Sequence, residues 1–167
     1  MNYYYIFKIE HGWIGLVGHD GKLTRSTLPQ PTREEAMECI EAGLNSDSIE
    51  NPNAFGDIPE KFDRYFKGEK VDFSNIEVDL GHPGVFLEAA QRAARTIPYG
   101  TLVTYKELAR MAGRERAARA AGTAMAKNPL SIIVPCHRVI AAGGAIGGFG
   151  PGLEWKRELL KLEGVDI

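Results

Sequence analysis

Cys136 stands between Pro135 and the pair His137-Arg138, at the end of the apolar run Ile132-Ile133-Val134. A thiol reacts as its thiolate, and a nearby imidazole or guanidinium lowers the cost of that negative charge. Val134-Pro135-Cys136-His137-Arg138 therefore reads as a nucleophile with a base and a cation beside it. Pro135 fixes the backbone before the sulfur and ends the apolar run, which predicts a strand over 132–134 carrying the thiol to the edge of the core. A lone cysteine is more simply a small buried side chain; the flanking residues tip this one toward chemistry.

The elements that must hold this segment fall into two groups. Residues 3–9, 13–17 and 22–28 are short apolar or alternating runs separated by turn signals at His11-Gly12 and His19-Asp20-Gly21, which predicts a three-stranded antiparallel meander. Thr32 with Glu35 three residues on predicts a helix N-cap, the helix running to about residue 44. Residues 45–53 read as a loop, 59–66 as a short helix with Phe62, Tyr65 and Phe66 on one face, and 68–84 as an irregular linker. Beyond it, residues 85–96 place apolar side chains at 86, 87, 89, 90, 93 and 94, a helical face. Thr104 and Glu107 cap a helix over 105–111, Ala112-Gly113 turns the chain, and 115–126 makes an Ala-rich second helix. Two short helices about a glycine-bearing turn are a helix-turn-helix. The fold class expected is α/β with two domains: a small N-terminal antiparallel β-sheet domain with helices over 1–80, and a mostly helical C-terminal domain over 84–167.

Hydrophobic residues make up 44% and charged residues 25% of the 167, the proportions of a soluble globular chain. The first ten residues lack the basic-then-apolar pattern of a signal peptide, and no apolar run reaches the length of a membrane span. Charge is divided unevenly within the net −2: residues 1–83 carry 8 Lys/Arg against 15 Asp/Glu, and 84–167 carry 12 against 7. A basic half that also holds the thiol suits a DNA-facing surface of modest, salt-sensitive affinity. The N-terminal half has one cysteine, Cys39, and three scattered histidines, His11, His19 and His82, which make no tetrahedral set, so no metal is expected. Cys39 reads as core, His11 and His19 as exposed turn residues, and no disulfide to Cys136 is expected.

The C-terminal half resembles the O6-alkylguanine-DNA alkyltransferases, self-alkylating proteins that strip alkyl groups from guanine O6 in duplex DNA. Val134-Pro135-Cys136-His137-Arg138-Val139-Ile140 looks like their active-site signature. Ile97-Pro98-Tyr99-Gly100 and Thr104-Tyr105-Lys106-Glu107-Leu108-Ala109 match the entry to their first DNA-binding helix. Arg116-Ala117-Ala118-Arg119-Ala120-Ala121-Gly122 resembles their recognition helix, followed by Met125 and Asn128-Pro129. Gly147-Gly148-Phe149-Gly150 and the stretch from Lys156 to Leu162-Glu163-Gly164 complete the match, in order over about 85 residues.

The resemblance implies DNA repair: one transfer per molecule from O6-alkylguanine, with O4-alkylthymine as a further substrate, to Cys136. It implies that small residues Ala117, Ala118, Ala120 and Gly122 let the recognition helix approach the minor groove, and that Arg119 fills the space of a flipped nucleotide. Tyr105 would crowd the 3′ phosphate and bond guanine N3; Lys106, Arg114 and Lys127 read by their charge as phosphate contacts, the alternative being solvated surface charge. Met125, Val139, Gly147, Gly148, Phe149 and Gly150 would form the base pocket, the carbonyls of Cys136 and Val139 taking the exocyclic amine and the amide near Gly150 taking O6. Phe149 stands where family members carry Tyr, so a phenolic bond to O6 is absent. A water-mediated chain from Cys136 through His137 to Glu163 would remove the thiol proton. Lys156 would stand near O6, Asn128 would tie the active-site turn to the helix-turn-helix, and Arg138 would brace the two domains. The N-terminal domain would act as a buttress. No cofactor is implied. The partner is double-stranded DNA bearing O6-alkylguanine, with no membrane, and the protein is expected as a monomer, several copies along DNA, in the cytoplasm and on the nucleoid. The thioether offers no return path, and its extra volume should destabilise the fold by about 1–3 kcal/mol.

Three rivals bear on the same residues. A lesion-flagging relative without the reactive cysteine is opposed by Cys136. An ordinary major-groove reader would need Asn, Gln and Arg where this helix has alanine. A cysteine hydrolase would need an oxyanion site that no motif supplies.

Overall fold

The computed structural model describes residues 1–167, and its chain divides after Gly81, the first unit also taking in residues 129–133. In that first unit β1 (Asn2–Ile9), β2 (Gly12–His19) and β3 (Lys22–Ser26) form the expected antiparallel meander. Asp20 and Gly21 both take positive φ, 48° and 78°, the two-residue turn whose twist suits a hairpin. On this sheet lies α1 (Arg33–Ile40), N-capped by Thr32, whose Oγ1 accepts from the Glu35 amide at 3.1 Å. Ala36 and Ile40, four residues apart, bury against Ile6 and Val17. Cys39 falls off that stripe and is exposed, not core. The helix ends earlier than expected, giving way to a 3-10 turn over Glu41–Gly43.

Two more expectations for this half change. The stretch 45–53 contains β4 (Ile49–Glu50), which pairs parallel with β1 and makes the sheet order β3-β2-β1-β4. A two-residue strand set by a distant partner leaves no periodic trace in its own sequence. The segment 68–84 is no free linker. After α2 (Ile58–Phe66), Val71, Phe73, Ile76 and Leu80 are buried, and Phe73 packs against Phe62 and Tyr65 with ring centroids at 5.4 and 5.8 Å. Leu23 exchanges 2.9 Å backbone bonds with Glu77 and Asp79. His19 is tied down as well, its Nε2 at 2.9 Å from the Asp79 carboxylate.

The second unit is mostly helical, with α3 (Val85–Ala94), β5 (Val103–Thr104), α4 (Tyr105–Met111), α5 (Ala118–Ala126), β6 (Val139–Ile140) and α6 (Leu153–Leu162). The three helices α3, α4 and α5 pack on one another. Small residues permit this: Ala90, Ala94, Ala121 and Ala124 are fully buried, and the buried Gln91 amide donates to Ala124 O at 3.2 Å. The helix-turn-helix is present, though α5 starts at Ala118 and not at 115, because Arg114-Glu115-Arg116-Ala117 offers no side-chain N-cap. Val103 and Thr104 pair parallel with Val139 and Ile140, fastening the start of α4 to the chain just past the cysteine. No helix is long and apolar enough to cross a membrane.

Candidate active site

The run before the cysteine is not a strand. Ile132 takes φ 73°, a conformation rare for a β-branched residue, and residues 131–133 form a turn. An unbroken apolar run says only that it is buried, and a turn buries Ile132, Ile133 and Val134 as well as a strand would. Pro135 then adopts φ −78°, ψ 64°, and the Cys136 amide donates back to Val134 O at 2.7 Å, an inverse γ-turn. Cys136–Arg138 follows as one 3-10 turn. The thiol thus sits at a double bend.

Asn128, just past α5, bridges this bend. Its Nδ2 donates to Val134 O at 2.9 Å and approaches Cys136 Sγ at 3.3 Å. The sulfur faces a cavity of about 120 Å³ lined by Tyr105, Gly122, Met125, Ala126, Cys136, Gly148, Phe149 and Gly150. Tyr105 reaches it as the first residue of α4, a position fixed by a complete capping box between Thr104 and Glu107. Met125, buried, and Gly122, half-buried, reach it from α5. Of the expected pocket residues, Val139 and Gly147 lie off this lining. Ala126 lines it without having been anticipated.

Gly147 has a different task. At φ 74°, a β-carbon there would stand 2.9 Å from the Tyr105 hydroxyl and 3.3 Å from the Ala141 amide nitrogen. Gly147→Ala is therefore expected to displace the Tyr105 phenol and to lower stability by about 1–3 kcal/mol in urea unfolding. Gly148→Ala, with open space around it, should leave the unfolding midpoint nearly unmoved.

Lys156 on α6 is fully buried. Its Nζ donates to Val139 O at 2.7 Å and Gly148 O at 3.0 Å and lies 5.8 Å from the centre of the Tyr105 ring. The Tyr105 hydroxyl donates to the same Gly148 carbonyl at 3.4 Å. The 147–150 loop is thereby held from two sides. Burial pushes the Lys156 ammonium down to about 8, while the Cys136 thiolate works the other way. Burial likewise raises the Tyr105 phenol, which stays a donor at neutral pH. The carbonyls of Cys136 and Val139 each already accept a bond, from the Val139 amide and from Lys156.

The electrostatics of the thiol differ from what its neighbours in sequence suggest. Burial raises the Cys136 thiol, and the Asn128 amide, the Lys156 charge and the backbone amides of Cys136 and His137 only partly offset that rise. Arg138 turns away: its Nε and Nη2 donate to Glu163 at 2.8 and 3.0 Å, its Nη1 to Ile97 O at 2.7 Å, and its guanidinium lies 5.8 Å from the centre of the Tyr99 ring. Each of these partners belongs to the C-terminal unit. His137 Nε2 lies 2.6 Å from Glu163 Oε2, and the Gly100 amide donates to Glu163 Oε1 at 2.9 Å. Burial alone would raise the Glu163 carboxyl; the bonds and charge around it prevail and hold it well below the usual carboxylate range. Burial pushes His137 down, against the pull of Glu163 and with the help of Arg138 and Lys156. We take the imidazole as neutral, donating its Nε2–H to Glu163, with Arg138 supplying the charge that keeps the carboxylate ionised. The roles of Arg138 and Gly100 lie outside what sequence reasoning anticipated.

The expected DNA-contacting residues lie mostly outside the cavity. Lys106, Arg119 and Lys127 are exposed, as is Arg114, whose guanidinium lies 5.6 Å from the Phe86 ring centre. Ala117, Ala118, Ala120 and Gly122 are half-buried. No group of three or more His, Cys, Asp or Glu is placed to hold a metal.

Known proteins match both units. The model of the 6-O-methylguanine DNA methyltransferase DNA-binding domain matches residues 85–165, and that of the ribonuclease-like domain of the same proteins matches 2–80. A methylated-DNA–protein-cysteine methyltransferase of Mycolicibacterium paratuberculosis is 41% identical over 152 residues, 91% of this chain and 86% of that protein. One from Metallosphaera sedula is 39% identical over 153 residues, 92% of this chain and 87% of that protein. The crystal structure of Mycobacterium tuberculosis OGT in complex with DNA superposes with a TM-score of 0.79 at 36% identity, covering 96% of this chain and 92% of that one. With its thiol on a pocket and both halves matched, the chain belongs to the 6-O-methylguanine DNA methyltransferase family, enzymes of DNA repair by alkyl transfer to cysteine.

Proposed function

We propose that this chain takes the alkyl group of O6-alkylguanine in duplex DNA, and of O4-alkylthymine, onto the sulfur of its own Cys136, once per molecule. The observation that carries this reading is the sulfur's position on a cavity walled by Tyr105, Met125 and the Gly148-Phe149-Gly150 loop. The lesion lies in a stacked base, so the nucleotide must leave the helix to reach it. The small residues of α5 approach the minor groove, Lys106, Arg114 and Lys127 contact phosphates, and Arg119 holds the vacated space. Sulfur then attacks the alkyl carbon. The C–S bond forms as the C–O bond breaks, and the electron pair leaves with guanine. A water passes the thiol proton to His137, steadied by Glu163. Tyr105 serves the leaving base at N3 and Lys156 near O6, while Asn128 holds the bend. The phenyl ring of Phe149 offers O6 no hydrogen bond, so polarisation of O6 falls to these groups and to the amide near Gly150. The protein works as a monomer in the cytoplasm, several copies sharing a stretch of DNA.

Stoichiometry tests this. Titrated with duplex carrying O6-methylguanine, the protein should take up methyl to a plateau of one per molecule. Arg119→Ala should slow transfer from duplex far more than transfer from free O6-alkylguanine base. Continued turnover, or equal slowing with both substrates, would contradict the reading.

A further inference from the structure

We propose that Arg138 sets the protonation state of His137 through Glu163, so that the imidazole meets the thiol as a base and not as an imidazolium. The proposal rests on the transfer reading above and names a positioning residue for it. A buried carboxylate 2.6 Å from an imidazole, left to itself, draws a proton onto the ring. Here the guanidinium fork spans both oxygens of that carboxylate: Nε on Oε1 at 2.8 Å, Nη2 on Oε2 at 3.0 Å. The oxygen that faces His137 is the one Nη2 shares. The imidazole therefore sees an ion pair instead of a bare anion, and its Nε2–H is held as a donor, leaving Nδ1 as the lone-pair nitrogen.

The fork is itself anchored, Nη1 on Ile97 O at 2.7 Å with the Tyr99 ring beside it, and the Gly100 amide completes the coordination of Oε1 at 2.9 Å. The charged groups that act on the imidazole are Glu163 and Lys156 from the α6 region and Arg138 from its own turn; Cys136 is its titratable neighbour in the chain. Of these, Arg138 alone bonds the carboxylate that bonds the ring. Burial and the positive charges of Arg138 and Lys156 depress the imidazole, in line with this arrangement.

The test follows His137 ionisation by NMR of the ring nitrogens, alongside single-turnover alkyl transfer against pH. The proteins are wild type, Arg138→Met, Arg138→Gln, which keeps polar partners for Ile97 and Glu163 without charge, and Arg138→Lys. Both neutral variants should move the His137 inflection upward by about 1–3 pH units. Their transfer rate should fall at pH 7 and recover as pH rises through the shifted His137 inflection, until the loss of the Lys156 proton near 8 limits it. Arg138→Lys, which restores the charge, should bring the inflection back toward wild type even where stability is lost. Should a folded neutral variant keep the wild-type inflection and lose only thermal stability, Arg138 is merely structural and the proposal is overturned. Should wild type transfer no alkyl group, the functional reading fails instead, and the NMR inflections still decide the role of Arg138.

Discussion

Glu163→Ala is expected to destabilise the protein by about 3–5 kcal/mol, because it strands a buried guanidinium that has lost its carboxylate. The side chain of Glu163 is fully buried and receives bonds from His137, Arg138 and the Gly100 amide. Removing it leaves four donor nitrogens on three residues without their acceptor. Urea unfolding should show the midpoint fall with the slope unchanged. The pH dependence provides a second check. The folded Glu163 carboxyl is depressed, so its contribution is present above the unfolded carboxylate value of about 4.3 and is lost as pH falls below it. His137 is also depressed when folded. The unfolded chain takes up that proton near 6.5, so stability should begin to fall as pH drops through about 6.5. Wild type should therefore lose stability in two overlapping acid steps, and Glu163→Ala should lack the lower one.

Lys156→Met is expected to slow alkyl transfer about 100-fold, the scale at which one preorganised donor in a dry site acts. Methionine keeps the length and apolar stem but removes the Nζ bonds to Val139 O and Gly148 O. The 147–150 loop then loses its inner tie, and the Cys136 thiolate loses a cation that favours it. The pH profile separates this role from mere packing. Lys156 is pushed down to about 8, so wild-type transfer should decline on the alkaline side as that proton is lost. Lys156→Met should lose this alkaline limb altogether. A uniform drop in rate with the limb intact would assign the limb to another group.

What could be read from the sequence was local. The Thr104/Glu107 box fixes the start of α4 within four residues, and with it Tyr105. The Asp20-Gly21 turn and the Thr32/Glu35 cap of α1 are equally short-range. The features that escaped depend on partners distant in the chain. The two-residue strands β4, β5 and β6 exist only through their pairing. Lys156 belongs to a residue type almost always found at the surface, and nothing in its neighbours announces that it is buried. Arg138 shows why adjacency misleads. Successive side chains of a 3-10 turn diverge by about 120°, and Arg138, two residues after Cys136, bonds Glu163 instead of lying against the sulfur. The cation that favours the thiolate comes instead from α6. Family resemblance placed Lys156 and Glu163 near the cysteine, but not the bonds that Arg138 and Gly100 make to Glu163.

The most direct test is a mass spectrum of the digested protein after incubation with a duplex carrying a single O6-methylguanine. One added methyl, confined to the peptide containing Cys136 and absent from Cys136→Ala, is the predicted result. Methyl on the exposed Cys39, or no mass change on any peptide despite bound DNA, would contradict the account.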